Sequence, residues 1–350
     1  PTRRSSDLIQ TLIEQINFHY LKSLENKELL QKTKVEDFQI LLKDADKSVS
    51  YRPTVFDMLA HEALAFFLGK RYSMPFPMEA FDLNNPEYIS DNENFIRLKI
   101  TSPDSLSLSY NSLKIIQELT AFHMQSGNSL ALIDISLYRL KYMKENSTLE
   151  NRDELYLKAL ESFEKAYKEK AGYEDICFAL GDYYEKRAAT YHPETNPDYR
   201  WDYKTAIQWY EKTIVADSTS IAANNARAAM EMIQLKNITL FCDNILIPNQ
   251  KSFITYEYKN VAKIYCRIIS VSEDQYTKLG WENKIRYLNL LKLNYLKEWT
   301  KDLVLDSNYQ VQQINDALDP LPIGNYILLI TLNGFDKENT IGYAYHYFKV

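Results

Sequence analysis

The sequence predicts an α+β chain in two parts: an all-α region over residues 1–237, then an antiparallel β-sandwich over 238–350. Three observations carry this. Up to about residue 237 glycine is scarce, Leu, Ala, Glu and Lys abound, and apolar residues recur at spacings of three and four, the helical period. Beyond it come short runs in which apolar residues alternate, broken by turn residues roughly every ten positions. About seven such runs in about 110 residues is the size of an immunoglobulin- or fibronectin-like sandwich.

Taken in order, "PTRRSSDLIQTLIEQINFHYL" opens with helical periodicity. In "YRPTVFDMLAHEALAFFLG", Thr54 is a good N-cap and Asp57, three residues on, completes a capping box. Val55, Phe56, Met58, Leu59, Ala63, Leu64, Phe66 and Phe67 then give a wide apolar face, and Gly69 sits where a left-handed C-cap belongs. Segment 72–103, rich in Pro and aromatics, is expected to be irregular and to wrap the helices. Helices are expected over 105–125 and 128–145, joined by "QSGN", with Asp104-Ser105 as the cap of the first.

Three later phrases look repeated: "ALESFEKAYKE" (159–169), "ALGDYYEKRA" (179–188) and "AIQWYEKTIVADS" (206–218). Each sets a small residue where helices can approach and an aromatic knob a turn away, as in Gly181 with Tyr184, and Ala206 with Tyr210. These resemble tetratricopeptide helices, with a generic helical bundle as the alternative. In the β part, "ITLFCDNILI", "SFITYEYKN" and "VAKIYCRIISV" read as strands, the last alternating Ile264, Cys266, Ile268 against Tyr265, Arg267, Ile269. "LNLLKLNYLKEWTKDLVL" supplies a middle pair of strands, with a short helix over 283–293 as the alternative. "LPIGNYILLITLNG" gives a turn at Pro322 and Gly324, then a buried strand from Tyr326. A tyrosine there, its hydroxyl reaching back to backbone, would act as a tyrosine corner. "TIGYAYHYFKV" closes the series.

Composition narrows the function. A net charge of −6, with no Lys/Arg-rich run, argues against a general nucleic-acid binder. The strongest apolar run, "YILLITL", is far too short to span a membrane. The chain starts without Met and ends inside an alternating run, which reads as a fragment of a longer protein. Cys177, Cys242 and Cys266 are too few for a disulfide framework, although Cys242 and Cys266 could pair if their strands are neighbours.

Catalytic patterns are poorly supplied. His61-Glu62 begins an H-E-x-x-H zinc motif, but the second ligand position holds Ala65, so His61 is expected to be a half-buried, hydrogen-bonded scaffold residue. "SPDSLSLSYNS" lacks the G-x-S-x-G elbow of a serine hydrolase, and eight glycines form no phosphate loop. Asp153-Glu154 and Glu174-Asp175 suit first turns of helices, where the macrodipole favours anions. No catalytic residue, cofactor or metal ligand is expected, and the chain is read as not an enzyme. The best candidate contact surface is the insertion around "HPETNPDYRWDYK", with Tyr191, Tyr199, Trp201 and Tyr203 as possible partner contacts. Packing of that loop on its own helices is the competing reading.

One resemblance spans nearly the whole chain. "YRPTVFDMLAHEALAFF" is similar to the segment R-P-T-L-Y-D-F-L-A-H-x-A-L near the N-terminus of bacterial alpha-2-macroglobulin-like proteins. In order follow "FDLNNPEYISDNENFIRLKI", "SPDSLSLSYNSLKIIQELTAFH", "ALIDISLYRLKYM", "LYLKALESFEKAY", "VAKIYCRIIS" and "EWTKDLVLDSNYQVQQINDALDPLPIGNYILL". The last two look like the start of a macroglobulin β-sandwich. The resemblance implies a large protease inhibitor of the cell envelope, periplasmic or extracellular, which closes around proteases that cut its bait region. Its partners would be proteases, met through the full-length protein, and possibly other envelope proteins, without nucleic acid and without membrane insertion by this segment. Some members capture proteases through a C-x-E-Q thioester; none of the three cysteines here stands in that motif. A tetratricopeptide-type envelope adaptor, binding a protein or glycan, is the alternative, and a hydrolase the third reading.

Overall fold

In the computed structural model the residues described are 3–41, 49–68, 81–104, 107–337 and 342–350. Gly69, Ser105 and the stretch 72–80, all of which figure in the expectations above, lie outside them. Helices precede an antiparallel β region, so the α+β arrangement is as the sequence predicts. The chain divides into two units, one of Pro1–Tyr183 with Trp209–Ala226, the other of Tyr184–Gln208 with Arg227–Val350.

The first unit begins with α1 (Arg3–Ser23), α2 (Lys27–Lys32) and α3 (Val55–Leu68). The capping box at α3 is formed: the Asp57 amide donates to Thr54 Oγ1 at 3.2 Å, and the Thr54 amide donates to Asp57 Oδ2 at 2.9 Å. Two orphan amides of the first turn are thereby satisfied. Segment 81–103 is less irregular than expected, holding a 3₁₀ turn (Pro86–Ile89) and α4 (Asn92–Arg97). Next come α5 (Leu108–Ser126), α6 (Ser129–Asn146) and α7 (Arg152–Tyr167). The cap of α5 is Ser107, whose hydroxyl accepts from the Tyr110 amide, and not Asp104-Ser105. Gly127 ends α5 at φ 70°, the left-handed conformation glycine adopts without strain. Asp153 and Glu154 do stand in the first turn of α7. Phe56, Leu64, Leu113, Ile116, Leu119, Ile133 and Leu140 are fully buried between these helices. Each contributes about 1.5–3 kcal/mol by leaving water.

Three further helices, α8 (Tyr173–Ala188), α9 (Asp202–Ala216) and α10 (Ile221–Gln234), each contribute residues to both units. The close approach expected at Gly181 is present, with the Tyr210 ring lying directly over it.

The second unit contains a sandwich of seven strands among the described residues: β1 (Asn237–Cys242), β2 (Ser252–Lys259), β3 (Lys263–Ser270), β4 (Tyr295–Asp302), β5 (Gln312–Leu318), β6 (Asn325–Thr331) and β7 (Tyr343–Lys349). They form a sheet ordered β1-β2-β5 and a sheet ordered β4-β3-β6-β7, all pairings antiparallel. Between the sheets lie Ile254, Tyr256, Ile264, Cys266, Ile268, Leu328, Ile330 and Phe348. Ile264, Cys266 and Ile268 thus face inward as their alternation predicts. Ile269, expected to face outward, is also buried, because two helices cover that side: α11 (Glu273–Thr277) and α12 (Asn283–Lys292). Of the middle stretch read as two strands, 283–292 is therefore helix and only β4 is strand; Leu290 of α12 packs with Ile269, Ile327 and Leu329. Cys242 and Cys266 sit in different sheets and are free thiols, so the suggested pairing is not made.

The sandwich edges are treated differently. On one side Leu246 donates to the Lys349 carbonyl and Lys349 to the Asn244 carbonyl, joining the β1–β2 loop to β7. On the other side the edge strands β4 and β5 are linked by Lys301–Asp316 at 2.6 Å, and Lys297 of β4 pairs with Asp319, one residue past β5, at 2.5 Å. Charges placed on strand edges disfavour further strand addition.

Tyr326 forms the expected corner: its hydroxyl donates to the Pro322 carbonyl at 2.9 Å, and the residue is 3% exposed. The chain also closes here through paired amides of Gly324 and Val350. Replacing Tyr326 by Phe leaves that carbonyl without its partner while preserving the ring. The expected loss is about 1–2 kcal/mol in urea unfolding of the sandwich, without a change in m-value.

Candidate functional site

Two places in the molecule gather the residues of interest. The first is a polar cluster inside the helical unit, where α3, α5, α6 and α8 each contribute. Asp57 is fully buried and accepts three side-chain or backbone donors: the Thr54 amide, the Thr54 hydroxyl at 2.7 Å and His123 Nε2 at 2.7 Å. His123, from α5, is 2% exposed. His61 stands one turn after Asp57 and is more buried than expected. Its Nε2 is 3.8 Å from Asp134 Oδ2, too far for the expected hydrogen bond, and its ring meets Tyr138 edge-on. Burial, aided by the positive Arg52, pulls the His61 pKa down to about 3, so the imidazole is neutral at physiological pH. Arg52 Nε lies 3.6 Å from Asp134 Oδ2.

Next to this, Tyr51 hydrogen-bonds Asp175 in the first turn of α8, beside Glu174. Burial first, and the Glu174 charge second, push Asp175 up to about 7. Among the described residues no group of three or more His, Cys, Asp or Glu side chains is placed to hold a metal ion. At the cluster's centre a buried carboxylate is closed by a helix cap and an imidazole, with a neutral histidine packed alongside, while His123 Nδ1, Asp134 Oδ2 and Asp175 Oδ2 are buried without a hydrogen-bond partner.

The raised Asp175 pKa has a consequence for stability. A carboxyl whose folded pKa lies above its unfolded value favours folding when protonated, so its contribution is complete below about pH 4. It is lost as pH rises through about 7. Wild type and Asp175→Asn should therefore be closest in thermal stability near pH 4 and diverge between there and pH 7. At pH 8 the variant should be more stable, by about 2 kcal/mol after allowance for partial exposure. Parallel melting-temperature curves for the two proteins from pH 5 to 8 would contradict this.

The second place is the insertion between α8 and α9. A 3₁₀ turn, Pro197–Trp201, leads directly into α9. Arg187 organises it: the guanidinium holds Asp202 at 2.5 and 3.0 Å and lies 4.9 Å over the Tyr199 ring. Tyr203 lies under the Lys259 ammonium at 4.8 Å. Arg200 pairs with Asp306 at 2.6 Å, and Gln310 donates to the Ala188 carbonyl. Tyr191, Tyr199 and Tyr203 are half-buried; Trp201 is 46% exposed, flanked by the cations of Arg200 and Lys204. The insertion is thus pinned largely by its own residues and by strand-region partners, and Trp201 is the aromatic it presents to solvent.

The polar cluster was not assembled from sequence. Asp57 and His61 are four apart on one helix face, which is visible, but His123 is 66 residues from Asp57. No local pattern marks that pairing.

No protein-family model matches the chain, and no curated protein matches it. One solved structure similar to part of it is the CARDB domain of a Pyrococcus furiosus protein, in complex with di-metal ions. The likeness is 11% in identity, covers 33% of this chain and 87% of that domain, and has a TM-score of 0.20.

Proposed function

We propose that the chain is a non-catalytic scaffold segment of an alpha-2-macroglobulin-like protease inhibitor of the cell envelope. The supporting observation is where the resembling phrases fall. In "YRPTVFDMLAHEALAFF", Thr54 and Asp57 make the capping box and Asp57 ties α3 to His123 on α5. In "ALDPLPIGNYILL", Tyr326 ties β6 to the preceding turn. The likeness thus rests on residues that fix the architecture, as a shared scaffold would require. The segment's role is mechanical: to present a braced helical unit and a sandwich to the rest of an inhibitor whose partners are proteases. No helix among the described residues is long and apolar enough to cross a membrane.

The test uses the whole open reading frame, challenged with trypsin. The protein should be nicked first outside residues 1–350, and the trypsin should lose activity on large protein substrates while still cleaving a small peptide ester. Undiminished cleavage of large substrates would sink the proposal.

Exposed Trp201 favours a second reading, an adaptor that docks a protein or glycan through the insertion. Trp201→Ala should then abolish capture of one stoichiometric partner without altering the melting temperature; unchanged capture removes this reading.

A further inference from the structure

The two outer faces of the sandwich differ. The sheet β4-β3-β6-β7 is roofed by α11 and α12, and its outward residues Ile269, Ile327 and Leu329 are buried. On the sheet β1-β2-β5 no outward residue is buried, and most of that face is polar, with Thr239, Thr255, Gln313 and Asn315. The character changes at one end. Phe241 and Phe253 stand outward there as diagonal neighbours, since Phe241 pairs with Thr255 and Phe253 with Ala317.

The loop after β1 crosses the same end. Leu246 enters the core, its amide donating to the Lys349 carbonyl, while Ile245 and Ile247 on either side of it face solvent. Asn249 of that loop donates to the Leu321 carbonyl at 3.0 Å, two residues before Ile323, and Gly324 and Val350 exchange amide hydrogen bonds. Backbone pairing thus fixes Phe241, Ile245, Ile247, Phe253 and Ile323 at one end of the sandwich, from 49% exposed at Phe241 to 80% at Ile323.

Five large apolar side chains so exposed present on the order of 500 Å², toward the upper end of what a monomer leaves bare. One copy's share of a standard interface is about 800 Å², just over half of it apolar. The patch therefore supplies the apolar part of one such share, and the polar strand face beside it supplies a rim. Its charge also suits a second copy. Asp243 and Lys251 are the ionisable residues of the 243–251 loop, and their charges cancel. Nearby Asp319 is held by Lys297, and Lys349 by Glu273. Like then meets like without repulsion, whereas an anionic lipid surface would find no excess of cations.

We propose that this end of the sandwich is an isologous interface between two copies of the chain, to which each copy contributes Phe253 and Ile323, the most exposed members of the patch. The dimer stands whether or not the segment serves a protease inhibitor.

Sedimentation velocity of the 350-residue chain tests it. Between about 1 and about 100 µM a species of twice the 41.1 kDa chain mass should form and give way to monomer on dilution. Phe253→Asp combined with Ile323→Asp should raise the dissociation constant at least about thirtyfold, because apolar anchors are lost and like charges are brought face to face. Trp281→Asp, at the 93% exposed Trp between α11 and α12, should leave the dimer unchanged. Should the double variant lose its circular dichroism spectrum, Ile245→Asp alone carries the same expectation. A wild-type chain that stays monomeric throughout would overturn the proposal, and one that stays monomeric but floats with phosphatidylcholine vesicles would do so in favour of lipid. A dimer equally strong in the double variant, or equally weakened by Trp281→Asp, would overturn it as well.

Discussion

Asp57→Ala is expected to destabilise the helical unit by about 3–5 kcal/mol, enough to unfold a domain of ordinary stability at modest temperature. Asp57 is wholly buried and serves three donors at once, two from Thr54 and one from His123. Alanine removes the acceptor and leaves all three donors inside. The cost of orphaning buried donors exceeds the net worth of the bonds themselves, because each lost its water on folding. Asp57→Asn keeps the volume and one acceptor oxygen, so it should lose about 1–2 kcal/mol. Thr54→Val breaks only the hydroxyl part of the cap and should cost about 1 kcal/mol. The ordering Ala, Asn, then Thr54→Val is the signature of a brace, and chemical denaturation followed by far-UV circular dichroism measures it. If Asp57→Ala unfolds at nearly the wild-type midpoint, the α3–α5 tie is not what holds these helices together.

How far the sequence discloses the structure depends on how local the determining contacts are. The capping box is written in four consecutive residues, Thr54 to Asp57, and is formed as read. The same holds for the tyrosine corner, five consecutive residues from Pro322 to Tyr326. The run from Tyr326 to Ile330 is apolar throughout because β6 is covered on both faces, by the opposite sheet and by α12. A continuous apolar run is the mark of such a strand. The stretch 283–292 is different. Its short apolar pattern fits either a strand or a helix, and the choice is made by a need outside it: Ile269, Ile327 and Leu329 present an apolar outer face that a helix carrying Leu290 can roof. Strand β5, "QQINDAL", has little intrinsic strand preference and carries no local strand signal; it is a strand because it pairs along β2 from Tyr258↔Gln312 to Ser252↔Leu318. The Asp57–His123 pair is equally non-local, which is why the candidate site was the least legible feature.

Gly181→Ala tests the helical part where its sequence signal was sharpest. On an exposed helix this substitution would stabilise by about 1 kcal/mol, since glycine is the poorer helix former. Here the added Cβ would stand 2.5 Å from Tyr210 Cε1 and 2.6 Å from Cδ1, far inside van der Waals contact. The Tyr210 ring cannot swing aside cheaply: it is 1% exposed and packs against Phe178 with centroids 5.6 Å apart. Overpacking a filled core costs about 1–3 kcal/mol, and more when a rigid ring must move. The clash therefore outweighs the propensity gain, and Gly181→Ala should lose about 2 kcal/mol net. Tyr210→Ala alone opens a cavity and should cost about 3–5 kcal/mol. In that background the obstacle to Cβ is gone, so adding Gly181→Ala should now stabilise, by about 0.5–1 kcal/mol. The reversal of sign across the double-mutant cycle is the measurement that matters, because the coupling energy it isolates belongs to the Gly181–Tyr210 contact. If Gly181→Ala is destabilising by the same amount with and without the Tyr210 ring, the glycine is required for something other than this close approach.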